Sequence, residues 1–172
     1  MKRFLRFSLS VLITLAFVSG AFADVDINAT NFPDENFRNY ISSNFDNGDG
    51  KLTDAEIAAV AEMIINSAHG LTGSVSSLKG VEFFTELTIL RVAENGITEI
   101  DISNNKKLED VNFSNLQLSE LNVSNNPELK VLRCAWNQLK TIDISNNKKL
   151  ESLLISYNRL SELDLKNNTE LL

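Results

Sequence analysis

The chain has 172 residues, 43% of them apolar, with 16 basic against 23 acidic residues and a net charge of −7. That is enough chain for one elongated domain with a small cap, and an acidic balance without a basic patch argues against nucleic acid or anionic lipid as partner. A single Cys and a single His leave no nucleophile–base pair, no internal disulfide and no zinc spacing, so no enzyme is expected.

Residues 1–23, MKRFLRFSLSVLITLAFVSGAFA, combine a basic start, a twelve-residue apolar run over 7–18 and Ala21-Phe22-Ala23. This predicts a secretory signal peptide cleaved after Ala23, because a membrane span needs about 20 apolar residues. No Cys lies near the cleavage point, so no lipid anchor is expected. Cleavage removes Lys2, Arg3 and Arg6 from the 16 basic residues and none of the 23 acids, leaving 13 against 23 and a net charge of −10. The mature protein is expected to be secreted, periplasmic or on a bacterial cell surface, with no membrane span.

Residues 24–63 predict a small helical cap. Pro33 suits the first position of a helix carrying Phe37, Tyr40, Ile41 and Phe45 at helical spacing. Thr53 and Glu56 form a capping box ahead of a second helix with the stripe Ile57, Val60, Ala61 and Ile64. Between them runs Asp46-Asn47-Gly48-Asp49-Gly50-Lys51-Leu52. Helix, Asp/Asn/Gly loop and helix resemble an EF-hand. With Gly50 as the turn glycine, Asn47, Asp49 and Glu56 take calcium-ligand positions, while the first ligand position holds Phe45 and Asp46 falls one residue late. Asp46, Asn47, Asp49 and Glu56 allow two readings: a weakened calcium site, or a degenerate loop kept as structure.

Residues 64–86 form a bridge, read as an irregular first repeat. Ile64-Ile65 suits a first strand, Leu71, Val75 and Leu78 face inward, and one helical turn is expected over residues 80–84 with Phe84 on the first coil. His69 reads as a surface turn residue, since a metal site needs several convergent ligands.

Residues 87–172 repeat every 21 residues from Leu87, Leu108, Leu129, Leu150 and Leu171. A fixed period of this length marks a solenoid. The pairs Leu90/Val92, Val111/Phe113, Leu132/Cys134 and Leu153/Ile155 are a period-2 strand signal, and Cys134 therefore reads as a small buried hydrophobe. An Asn follows three residues later at Asn95, Asn137 and Asn158, where its amide suits the turn. The second unit departs, with Leu116 there and Asn115 one place early, so its turn is expected to be altered. Each unit lacks a regular helix and buries too little alone, so stacking must supply one apolar column. Asp101, Asp143 and Asp164 recur at one position; they suit turn chemistry better than a cation ladder. The Asn-Asn pairs at 104/105, 125/126, 146/147 and 167/168 read as turn punctuation. The chain stops as a fifth unit starts, so Leu160, Leu163 and Leu165 are expected to be poorly covered, by truncation of a longer product in preference to a missing partner.

The pattern L-x-x-L-x-(V/F/C/I)-x-x-N-x-L-x-x-(I/L)-D-(I/L) resembles the leucine-rich repeat of secreted and surface bacterial proteins, of internalin type, over half the chain. The resemblance implies an α/β solenoid: a short arc with a parallel β-sheet on its concave face and a helical N-terminal cap. It also implies adhesion or surface interaction with a protein ligand.

Between the inward strand residues lie columns free to face a ligand: Ile89, Asp110, Val131, Ser152; then Arg91, Asn112, Arg133, Leu154; then Ala93, Ser114, Ala135, Ser156. Trp136 and Tyr157 sit one repeat apart beyond them. Arg91, Asn112, Arg133, Trp136, Leu154 and Tyr157 are the expected contact residues, since Trp, Tyr and Arg dominate binding hot spots; the alternative is that both rings only pack over the turn. A carbohydrate-binding module and a calcium-stabilised spacer are the other functions left open.

Overall fold

The computed structural model describes residues 24–66, 73–92 and 96–172; the expected signal peptide, His69, Leu71, Ala93 and Asn95 lie outside them. The main element is a five-stranded parallel sheet of β3 (Glu62–Ile64), β4 (Ile89–Arg91), β5 (Asp110–Asn112), β6 (Val131–Arg133) and β7 (Ser152–Leu154), paired in that order. Successive strands are in register, Ile89 against Asp110, Val131 and Ser152, and Arg91 against Asn112, Arg133 and Leu154. The middle residues Met63, Leu90, Val111 and Leu132 are fully buried while their neighbours point outward, as period-2 strands require. The fold is thus a short leucine-rich-repeat arc, with coils at residues 87–107, 108–128, 129–149 and 150–170.

Two rows of asparagine amides tie the coils. Asn137 Nδ2 donates to Phe113 O (2.8 Å) and Cys134 O (3.1 Å), while its Oδ1 accepts Leu118 N–H; Asn158 repeats the pattern one coil on. The second row is the latter Asn of each Asn-Asn pair. Asn105, Asn126, Asn147 and Asn168 are buried, and each Nδ2 donates to two carbonyls of the preceding coil, as Asn126 does to Ile102 O (3.0 Å) and Asn105 O (2.9 Å). These residues satisfy buried acceptors and are more than turn punctuation.

The turn of the second coil follows the backbone course of the later ones but differs locally, with a hydrogen-bonded turn at residues 114–115 that residues 135–136 and 156–157 lack. Asn115, Trp136 and Tyr157 occupy one repeat position and share a left-handed backbone, with φ of 55°, 58° and 57°. Asn115 N–H and Trp136 N–H each donate to the next coil, at Ala135 O and Ser156 O. Leu116 is buried where the later coils carry an Asn amide.

The N-terminal cap is α1 (Glu35–Phe45), α2 (Asp54–Ala58) and a two-stranded antiparallel pairing of β1 (Val25–Asp26) with β2 (Lys51–Leu52). Pro33 lies outside α1. Asp34 is the N-cap, its Oδ1 accepting Phe37 N–H at 2.9 Å, because a carboxylate can serve an orphan helix donor and a proline cannot. The Thr53/Glu56 capping box forms as expected. The helix it opens stops at Ala58, short of Val60, Ala61 and Ile64. Residues 62–64 join the sheet instead, where Met63 and Ile65 alternate inward and pairing with β4 satisfies the backbone. Phe32, Phe37, Tyr40, Ile41 and Leu52 merge with Met63, Phe84 and Leu87 into one core, so the cap closes the N-terminal end of the column.

The bridge makes a 3-10 turn at Val81–Phe83, with Phe84 fully buried. Gly80 enters it at φ 107°, and a Cβ there would lie 2.2 Å from the Phe32 ring. At the other end Leu153, Ile155, Leu160, Leu163 and Leu171 are only partly buried and Leu165 is 44% exposed. No helix among the described residues is long and apolar enough to cross a membrane.

Candidate functional site

Sheet register brings Arg91, Asn112, Arg133 and Leu154 into one outward row. Arg91 Nη2 donates to Asp110 Oδ2 at 2.6 Å, and Arg133 Nη1 donates to Asp110 Oδ1 at 2.7 Å. The shared carboxylate is the most buried member, with its side chain 17% exposed against 39% and 35% for the arginines. The hydrogen bond to Asp110 raises the Arg91 guanidinium further above its ordinary value. Sequence reasoning placed Asp110 in the neighbouring row and missed this bridge. The signal was present: residues two places apart on adjacent in-register strands lie within reach of long side chains. Asn112 is tied to its own loop, its Oδ1 accepting Ser114 N–H at 3.1 Å.

Trp136 and Tyr157 stack with ring centroids 3.8 Å apart and planes inclined by 13°. They are 56% and 64% exposed, so more than half of each residue stays open to solvent. The left-handed backbone costs an L-residue about 1–2 kcal/mol, which works against the stack, worth about 0.5–1.5 kcal/mol beyond the area it buries. Asn115, a residue type that tolerates this conformation, holds the same position one coil earlier.

The Asp46–Glu56 loop is built from backbone N–H groups. Asp46 Oδ1 accepts Gly48 N–H (2.9 Å) and Asp49 N–H (3.2 Å), and Asp49 Oδ1 accepts Lys51 N–H. Glu56 Oε1 accepts Asn47 N–H and its Oε2 accepts Thr53 N–H and Oγ1, which holds the Glu56 carboxyl below its ordinary value, the Thr53 backbone bond first. Phe45, at the first ligand position, packs edge-on to Tyr40 at 5.7 Å and against Phe84. Among the described residues no three His, Cys, Asp or Glu side chains are grouped to hold a metal ion. Calcium takes six to eight oxygens, and here the Asp46 and Glu56 oxygens are shared with backbone N–H donors.

Asp101, Asp143 and Asp164 each accept the backbone N–H two residues on, which is turn chemistry. Cys134 is buried, and burial pushes its thiol up to about 12, so it stays protonated and unreactive at neutral pH. A groove between the bridge and the first coil is lined by Ser77, Lys79, Glu82, Glu99 and Asp101, none of them in the Arg91–Leu154 row or the ring pair.

No protein-family model and no curated protein matches the chain. Solved structures do. The functional domain of InlJ from Listeria monocytogenes, described as including a cysteine ladder, superposes with a TM-score of 0.76 at 27% identity, over 88% of this chain and 32% of that one. Internalin C2 from the same organism gives 0.60 at 19% identity, over 89% and 78% of the two chains. A leucine-rich-repeat protein of Leptospira interrogans gives 0.61 at 20%, over 67% and 31%. The chain spans about a third of the InlJ domain, and with one Cys it carries rows of asparagine amides between its coils and no cysteine ladder. Register, amide rows and structural likeness converge on one conclusion: this is a short leucine-rich-repeat arc, similar in fold to the InlJ domain.

Proposed function

We propose that the chain is an exported, non-enzymatic recognition module that binds a protein ligand through the concave, outward face of its sheet. Arg91, Asn112, Arg133 and Leu154 form the floor of that surface, and Trp136 with Tyr157 forms its rim. The observation that carries this reading is the exposed Trp136–Tyr157 stack on a backbone conformation that disfavours both residues. Strain held at exposed aromatic side chains is accounted for by what they touch. Likeness to internalin structures from Listeria supports a protein ligand, and the apolar start of the sequence supports export.

The test is comparative capture from host-cell and bacterial-surface extracts by the wild type and by Trp136→Ala/Tyr157→Ala. A protein identified with the wild type and lost with the double variant supports the reading; equal capture by both rejects it. The near-parallel rings would also suit the flat face of a sugar. Binding on a glycan array that Trp136→Ala abolishes, with no protein captured, would favour that second reading.

A further inference from the structure

We infer that the outward face recognises an acidic segment of its partner: a carboxylate on the Arg91–Arg133 pair beside an apolar or aromatic side chain against Trp136 and Tyr157. This rests on the recognition reading above and adds the partner's chemistry. Three observations support it. First, Asp110 lies beneath the two guanidinium groups and is the least exposed of the three, so an approaching ligand meets the cations first. Each guanidinium has five N–H donors, and one from each is directed to Asp110. The carboxylate fixes both forks in place, so a ligand has little side-chain freedom left to remove.

Second, Glu62 on the neighbouring strand also acts on Arg91, so Arg133, which among the described ion pairs has only the shared Asp110, is the cation most open to a ligand, on a chain whose net charge is −7. A local positive spot on an acidic molecule selects a small anionic group and repels an extended polyanion. That favours one carboxylate of a peptide over a sulfated glycan. Third, Leu154 is 47% exposed in the same row as Arg133, and Trp136 follows Arg133 by three residues. The cationic spot is therefore continuous with apolar surface, which suits a side chain of a protein.

The experiment pans a displayed library of random short peptides over the whole chain and measures the winners by fluorescence. Trp136 is the chain's one Trp, so its emission reports occupancy directly. Expected winners carry Asp or Glu near Trp, Tyr, Phe or Leu and change Trp136 emission on binding. Arg133→Gln should weaken them about tenfold or more, since hydrogen bonds to charged groups are the strong ones, and should flatten the salt dependence. Arg133→Lys should fall between. Asp110→Asn removes the competing anion and keeps both cations with an amide oxygen to hold them, so it should bind closer to wild type than Arg133→Gln does.

If the bridge were merely structural, Asp110→Asn would impair binding as much as Arg133→Gln, and that result overturns the inference. Winners without acidic residues, sensitive to Trp136→Ala but indifferent to Arg133→Gln, overturn it while leaving the recognition face intact. Absence of any Trp136-dependent peptide removes both. Arg133-dependent capture of heparin without acidic peptides also overturns it.

Discussion

Asn126→Ala tests the inner amide row directly. The substitution removes two hydrogen bonds, to Ile102 O at 3.0 Å and Asn105 O at 2.9 Å. Each acceptor keeps one other partner, Asn105 N–H for the first and Leu108 N–H for the second. Neither carbonyl is orphaned, so each lost bond costs about 1 kcal/mol, near the ordinary net value and below the full penalty for an unsatisfied group. The fully buried side chain also leaves a small void, and its own Oδ1 has no partner to lose. The expected destabilisation is about 2–3 kcal/mol, read as a shift of the urea midpoint at constant slope. Asn125→Ala, one residue away on an exposed side chain, should stay within about 0.5 kcal/mol. Asn126→Asp should be the worst of the three, because a carboxylate would face two carbonyl oxygens. Equal stability of Asn126→Ala and Asn125→Ala would refute the load assigned to the row.

Four further outcomes are expected. Trp136→Asn/Tyr157→Asn should cost less than about 2 kcal/mol, because relief of about 1–2 kcal/mol at each residue opposes the loss of the stack and its buried area; a larger loss would contradict the view that the rings are kept for binding. Gly80→Ala should destabilise by more than about 2 kcal/mol, since its Cβ would strike Phe32; a thermal melt unchanged from wild type would be inconsistent with that contact. Burial alone would raise the Asp34 carboxyl, but the Phe37 N–H and the hydroxyl and N–H of Ser76 outweigh it and hold it below its ordinary value. Its contribution is thus present above the unfolded-state pKa and lost as pH falls through the lower folded one, so wild type should lose more stability than Asp34→Ala between neutral and strongly acidic pH in melting scans. Finally, adding calcium or a chelator should not move the melting temperature of the wild type, because Asp46 and Glu56 already serve N–H donors; a calcium-dependent rise lost in Glu56→Gln would refute this.

The repeat was legible because its side chains are constrained twice, by strand alternation and by identical neighbours above and below. Leu90, Val111 and Leu132 could face nowhere but inward. What escaped depends on pairing that no local pattern reports. Val60, Ala61 and Ile64 do read as helix in isolation, but the open edge of β4 captured residues 62–64. Asn105, Asn126, Asn147 and Asn168 look like their exposed neighbours in sequence; only stacking reveals that one Asn of each pair points at two carbonyls. Asn115 read as displaced, although it stands at the position that Trp136 and Tyr157 share. For the candidate surface, the outward row followed from period alone. The Asp110 bridge needed the diagonal between strands, and the stacking of the rings needed their shared turn.

The substitution of Leu116 for an amide has a mechanical consequence. Between the coils at 108–128 and 87–107 the row containing Asn126 acts alone, whereas both later junctions have two amides, Asn137 with Asn147 and Asn158 with Asn168. Nearest-neighbour coupling governs such arrays, so a chain pulled from its ends, or breathing in deuterated solvent, should part first at that seam. The cap and first coil would then behave as one cooperative block, and the coils bearing Trp136 and Tyr157 as another.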